Sequence, residues 1–254
     1  MIDSERLLDG PARAGRTRVI AIDGRSGSGK TSLAAELSHE LTVPVVTLED
    51  LYGGWDGLER GIDLLVSAVL EPVAAGRAAR VPRYDWTAGE WGDAWLLEPP
   101  DVLIVEGVGA GARRAARYES RLVWMEAAPS VRKKRALERD GETFAPHWDR
   151  WAAREDALLA RECTPERADL VIDGVTGLLL RGLRAIGNVR ARRYHRSRRT
   201  VRKAQLRSVF KIECQTPAVG WWPPGREGWD RGGLRQRALG RWVRPGAWVE
   251  AWAR

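Results

Sequence analysis

From Gly24 to Thr31 the chain reads Gly24-Arg25-Ser26-Gly27-Ser28-Gly29-Lys30-Thr31, the full G-x-x-x-x-G-K-[ST] pattern of a phosphate-gripping loop. Each residue type has a task in that chemistry. Gly24, Gly27 and Gly29 permit backbone angles and a close approach that a β-carbon blocks. The amides around Ser26, Gly27, Ser28 and Gly29 turn inward as an anion-binding nest. A helix starting near Lys30 adds the partial positive charge of its N-terminus. Lys30 is then placed to reach the β- and γ-phosphates, and the Thr31 hydroxyl to ligate Mg²⁺. The pattern predicts a site for ATP with Mg²⁺.

Acidic residues farther along have the right positions to complete such a site. Glu49 and Asp50 follow an apolar run at 43–48. A carboxylate at the C-terminal edge of a neighbouring strand can face the γ-phosphate. There Asp50 would orient an acceptor hydroxyl, take its proton or hold Mg²⁺; an acidic helix cap or a solvated loop charge is the other reading. Leu103-Ile104-Val105-Glu106-Gly107 is an apolar run ending in an acid, similar to a Walker B strand with Glu in place of Asp. Glu106 would reach Mg²⁺ directly or through water, unless it only caps the next helix. Arg132, Arg135 and Arg139 recur at helical spacing and present one face. They either neutralise charge on a transferring phosphoryl group or form a solvated basic surface. Trp55, Trp86, Trp91 and Trp95 crowd the segments that would border an acceptor, where they stack on a ring or pack an irregular loop. Arg113, Arg114 and Arg117 follow the Glu106 strand, as anchors for an anionic acceptor or as surface charge.

The elements that must position these residues follow from apolar periodicity. Short apolar runs at 18–23, 43–48, 101–105, 121–126 and 169–172 predict buried strands. Amphipathic stretches at 31–41, 58–73, 130–139 and 147–162 predict helices between them. Residues 1–17 form a polar lead-in, and residues 78–95 an irregular segment or a short hairpin. Strands alternating with helices imply a three-layer α/β fold, with a parallel sheet of about five strands covered on both faces.

Taken in order, GRSGSGKT, the LEDLY segment around Asp50, the Tyr84-Asp85 pair, LIVEG and the arginine helix VRKKRALERD resemble the uridine kinase-like family of P-loop small-molecule kinases. The resemblance runs over residues 18–174, and the closing ADLVIDG is similar to that family's last strand. It implies transfer of the γ-phosphate of ATP to the hydroxyl of a small metabolite, a nucleoside first among them. It implies Asp50 as catalytic base, Thr31 and Glu106 around Mg²⁺, and Lys30 with the lid arginines Arg132, Arg135 and Arg139 on the phosphates. Tyr84, Asp85 and Trp86 would hold the acceptor. No His follows Tyr84-Asp85 at close range, so the base contact that a His provides in that family is missing or replaced. Two other readings are an ATP-binding regulatory module or ATPase without an acceptor, and a nucleic-acid binder acting through the C-terminal segment.

Charge divides the chain. The net charge is +8, yet residues 1–180 hold 23 basic and 30 acidic residues, a net of −7, while 181–254 hold 19 and 4, a net of +15. The expectation is a kinase domain at 1–180 and an Arg/Trp-rich, disordered tail at 181–254. That tail would bind RNA or single-stranded DNA, adhere to an anionic membrane, or be an unselected extension. No run is long and apolar enough to span a membrane. Only two cysteines occur, Cys163 and Cys214, without metal-ligand spacing, so no disulfide framework is expected and a reducing cytoplasm fits best.

Overall fold

In a computed structural model of the chain, residues 4–182 are described. The expectations for most of the tail therefore lie outside the described residues. The central sheet has the order β2-β5-β1-β6-β7-β8. It is built from β1 (Arg18–Gly24), β2 (Val45–Thr47), β5 (Val102–Glu106), β6 (Glu119–Glu126), β7 (Leu170–Asp173) and β8 (Leu179–Arg181). All pairings are parallel except β7 with β8. The parallel strands match the expectation of about five. The antiparallel β8 was not expected; Gly177 at φ +67° reverses the chain just beyond β7 and returns it beside that strand.

The strands are apolar throughout because both faces are covered. Alternate residues go to opposite layers. Val19, Ala21, Leu103, Val105, Trp124 and Val171 join one core cluster, with α3 (Leu58–Leu64), α6 (Trp148–Glu162) and the hairpin of β3 (Ala79–Asp85) and β4 (Glu90–Leu97). Ile20, Ile22, Ile104, Val123, Met125 and Ile172 join the other, under α2 (Lys30–Leu41). Period-two partitioning of one sheet between two helical layers is what makes the fold three-layered.

Three local expectations are corrected. The polar lead-in contains a short helix, α1 (Ser4–Leu8), whose Leu7 is fully buried in the second core. Burying one Leu side chain is worth about 1.5–3 kcal/mol, enough to dock a helix too short to be stable alone. The helix expected over 58–73 contains a π-helical stretch at Leu65–Leu70 between α3 and α4 (Glu71–Ala74). The basic helix α5 (Pro129–Phe144) runs past the expected end at 139, bending where Gly141 takes φ +52° and ψ −131°.

Candidate active site

The loop between β1 and α2 has the geometry its composition demands. Gly27 lies at φ +76°, and a β-carbon there would come within 2.2 Å of the Arg132 carbonyl oxygen. Gly29 lies at φ +100° and leads directly into α2, so the loop closes on a helix N-terminus. Lys30 is 7% exposed, and its ammonium donates to the Arg25 carbonyl at 3.1 Å. Thr31 Oγ1 stands 3.4 Å from both Glu106 carboxylate oxygens. Glu106 closes β5 opposite Thr47 of β2. Burial raises its carboxyl above the ordinary range, opposed by Lys30.

A hydroxyl facing a carboxylate is the hard oxygen pair that Mg²⁺ takes. Among the described residues no group of three or more His, Cys, Asp or Glu gathers as a protein-only metal site. An ion here would rest on Thr31, Glu106 and the nucleotide's own phosphates, the usual arrangement for Mg²⁺ in phosphoryl-transfer sites.

Two cavities adjoin this loop. The larger, about 740 Å³, is lined by Ser26, Gly27, Gly29, Lys30 and Thr31, by Arg135 and Arg139 of α5, by Glu49, and by residues 172–177 at the end of β7 and just after it. The smaller, about 300 Å³, is walled by Tyr52, Trp55, Trp86, Phe144 and Trp151, with Val108, Thr143, Asp140 and again Ser26, Glu49 and Arg139. Trp55 organises the aromatic wall: its ring stacks near Phe144 at 5.0 Å and His147 at 4.5 Å, and meets Trp86 edge-on at 4.9 Å. The Trp86 indole donates to the Glu49 carbonyl at 3.0 Å, fastening the hairpin to the turn Leu48–Leu51 that follows β2. A polar cleft built on a phosphate loop thus meets an aromatic cavity across three shared residues.

A curated uridine kinase from Staphylococcus aureus (strain JH9) is 30% identical over 143 residues, spanning 49% of this chain and 69% of that protein. The chain belongs to the uridine kinase-like family of P-loop small-molecule kinases. A uridine kinase from Lactobacillus johnsonii is 29% identical over 145 residues, spanning 49% of this chain and 68% of that protein. The structure of a possible uridine kinase from Bacillus stearothermophilus shares the fold, at a TM-score of 0.51 and 22% identity over 67% of this chain and 95% of that one. No family model matches the chain. The protein is an ATP-dependent small-molecule kinase. Among the described residues no helix is long and apolar enough to cross a membrane.

The kinase does not gather all the residues singled out in its sequence. Lys30, Thr31, Ser26, Gly27, Gly29, Arg135 and Arg139 line the larger cavity, and Trp86 the smaller. Gly24 and Ser28 lie in the loop but outside both linings. Arg132 is 5% exposed and lies behind the loop, donating to the carbonyls of Ala127 at 3.2 Å and Ser26 at 3.4 Å. Burial lowers its pKa. Asp50 sits in a 3-10 turn, Leu48–Leu51, and lines neither cavity. Tyr84 packs its ring on Trp86 and Trp91, at 5.4 and 5.3 Å. Asp85 is exposed and accepts from the amides of Ala88 and Thr87 in its own hairpin turn, which lowers its pKa. Arg114 pairs with Glu59 and Asp63, and Arg117 with Glu71, all on the surface.

Three further acids bear on the site. Glu49 borders both cavities, whereas the sequence favoured its neighbour Asp50. Asp23, 1% exposed at the end of β1, accepts from the amides of Gly109 and Gly111, each at 3.0 Å, and anchors the loop after β5. Burial raises its carboxyl to about 6, against the pull of those amides and of Lys30. Glu155 of α6 is 1% exposed and touches the phosphate loop. The signal was present: an acid on the helix face that buries Trp148, Trp151, Leu158 and Leu159 has to be paired with something.

Proposed function

We propose that this kinase phosphorylates a hydroxyl of a ring-bearing acceptor, a nucleoside, held in the aromatic cavity while ATP occupies the larger cleft. The observation that carries the reading is the border of Ser26, Glu49 and Arg139 common to both cavities. A hydroxyl at that border would meet the γ-phosphate without crossing solvent. Flat rings of Trp55, Trp86 and Phe144 suit a planar base, and their burial supplies affinity without hydrogen-bond readout. The names of the two curated relatives point to the same acceptor class.

In this reading Lys30 and the loop amides hold the β- and γ-phosphates, and Thr31 with Glu106 holds Mg²⁺. The ion supplies charge neutralisation along the phosphates. Arg135 and Arg139 reach from α5 over the transferring group, where guanidinium donors stabilise charge that develops in the transition state. Asp50 accepts the proton of the attacking hydroxyl, and the 1–180 domain carries the reaction. Asp50 lines neither cavity, so its role requires the turn Leu48–Leu51 to bring it to the border that Glu49 already occupies.

The test is ADP release by the full chain with ATP and Mg²⁺ against uridine, cytidine, other nucleosides and non-nucleoside alcohols. Turnover with a nucleoside well above the ATP-only rate is expected. Turnover with other alcohols alone would overturn the acceptor assignment, and bound ATP without any acceptor-dependent turnover would overturn the transfer.

A further inference from the structure

All three polar groups of Ser26 are held by side chains from α5 and α6. Its amide donates to Glu155 Oε1 at 2.8 Å, its carbonyl accepts from Arg132 Nη1 at 3.4 Å, and its hydroxyl accepts from Trp151 Nε1 at 3.0 Å. The Trp151 indole N–H is shared, with Glu155 Oε1 as its second acceptor at 2.9 Å. The remaining Glu155 oxygen takes Arg25 Nε at 3.3 Å and lies 3.9 Å from Arg132. A buried carboxylate is tolerated only when paired and hydrogen-bonded, and here both conditions are met by groups that surround one loop residue.

Trp151 has a second role. Its ring walls the aromatic cavity, 5.1 Å from Tyr52 and 6.1 Å from Trp55, and does not border the phosphate cleft. One side chain therefore presents its face to one cavity and its N–H to the loop that builds the other. Glu155, four residues on, shares its helix face.

We propose that Trp151 and Glu155 act as one positioning unit that fixes Ser26 and couples the aromatic cavity to nucleotide binding at the phosphate loop. The inference rests on the nucleotide half of the reading above and not on the identity of the acceptor. A phosphate loop binds only when its amides are already oriented, so whatever holds Ser26 lowers the ordering cost of binding. An occupant pressing on the indole moves the same N–H that holds Ser26, and such coupling is reciprocal between the two ligands. Neither residue needs to touch a phosphate.

The experiment measures binding of a non-hydrolysable ATP analogue with Mg²⁺ to the full chain by calorimetry, beside thermal melting. Trp151→Phe keeps a ring and removes the N–H; Glu155→Gln keeps an acceptor oxygen and removes the charge. Each is expected to weaken the analogue about fivefold or more; Glu155→Gln also lowers the melting temperature, because it takes the buried partner from Arg132, so both variants are titrated well below their melting points. The double variant should weaken it no more than the worse single one, as for members of one unit. Trp148→Phe, on the same helix but bordering neither cavity, should bind as the wild type does. Wild-type affinity in Trp151→Phe would overturn the proposal, even if Glu155→Gln failed to fold. So would losses that multiply in the double variant, or an equal loss in Trp148→Phe. Because no acceptor is present, failure here leaves the acceptor assay untouched, and the converse holds.

Discussion

Arg139 of α5 and Glu49 in the 3-10 turn after β2 meet at 3.2 Å, and this pair stands on the border of both cavities. Arg139 also grips the adjacent Asp140 at 2.7 and 2.8 Å, and these bonds, with Glu49, raise its pKa. Both partners of the Glu49 pair are about half exposed, so the contact adds little stability. Its value is positional: it holds the guanidinium over the border where a phosphoryl group would pass.

Arg139→Ala is accordingly expected to lower kcat by about 10²–10³ while the protein melts as before. Arg139→Lys should recover little, because a point charge does not reproduce the planar fork. Glu49→Gln releases the arginine without removing it, and its effect should stay within about tenfold. Steady-state kinetics with the identified acceptor decide this. Full activity in Arg139→Ala would remove the lid arginine from the mechanism.

Thr31 and Glu106 predict a metal phenotype. Substituting Thr31 by Ala or Glu106 by Gln takes one oxygen ligand or one negative charge from a facing pair 3.4 Å apart. Each variant should need at least about tenfold more Mg²⁺ for half-maximal turnover, since few protein oxygens hold the ion. Titrating Mg²⁺ at fixed ATP measures it. An unshifted Mg²⁺ curve in both variants would place the ion elsewhere.

Asp50 predicts a pH limb. Burial raises its carboxyl above the ordinary Asp value, Glu49 adds to the rise and Arg83 opposes it. A general base works when deprotonated, so kcat/KM should fall as pH drops through that raised value. Asp50→Asn should lower kcat about 10²–10⁴-fold and leave the affinity for an ATP analogue unchanged. A variant that retains both rate and pH limb would hand the proton to another group, and Glu49 is the nearest carboxylate in sequence.

The phosphate loop was legible because its pattern is local. Gly27, Gly29, Lys30 and Thr31 fall within five consecutive positions, and strand and helix periodicity framed them. Glu106 was legible as the end of an apolar strand. Of the aromatic cavity only Trp55 and Trp86 were singled out; Tyr52, Phe144 and Trp151 were not, because they come from segments up to about a hundred positions apart that only tertiary packing brings together. Arg132 shows the limit of helical spacing: it shares a face with Arg135, yet the close approach of its backbone to Gly27 turns it into support behind the loop. Tyr84 and Asp85 were read as acceptor contacts, but the hairpin turn uses the Asp85 carboxylate for its own amides.

Glu119 supplies a prediction about stability. It opens β6, is 7% exposed, and its Oε1 has no hydrogen-bond partner among the described residues. Burial raises its carboxyl from 4.5 to about 8, with Asp23 and Asp169 adding and Arg167 and Arg13 opposing. The folded protein therefore holds this proton more tightly than the unfolded chain does. The stabilisation is fully present below pH 4.5 and is lost as pH rises toward about 8. Each pH unit in that window costs up to about 1.4 kcal/mol. Glu119→Gln keeps the shape and abolishes the titration, so the variant should match the wild type near pH 5 and exceed it by on the order of 2–3 kcal/mol near pH 7. Taking the difference between the two proteins cancels only the part of the Asp23 contribution that does not depend on Glu119, since the two carboxyls interact. Urea unfolding at several pH values measures that difference, and a difference that stays constant from pH 5 to 8 would show that Glu119 is not the titrating group.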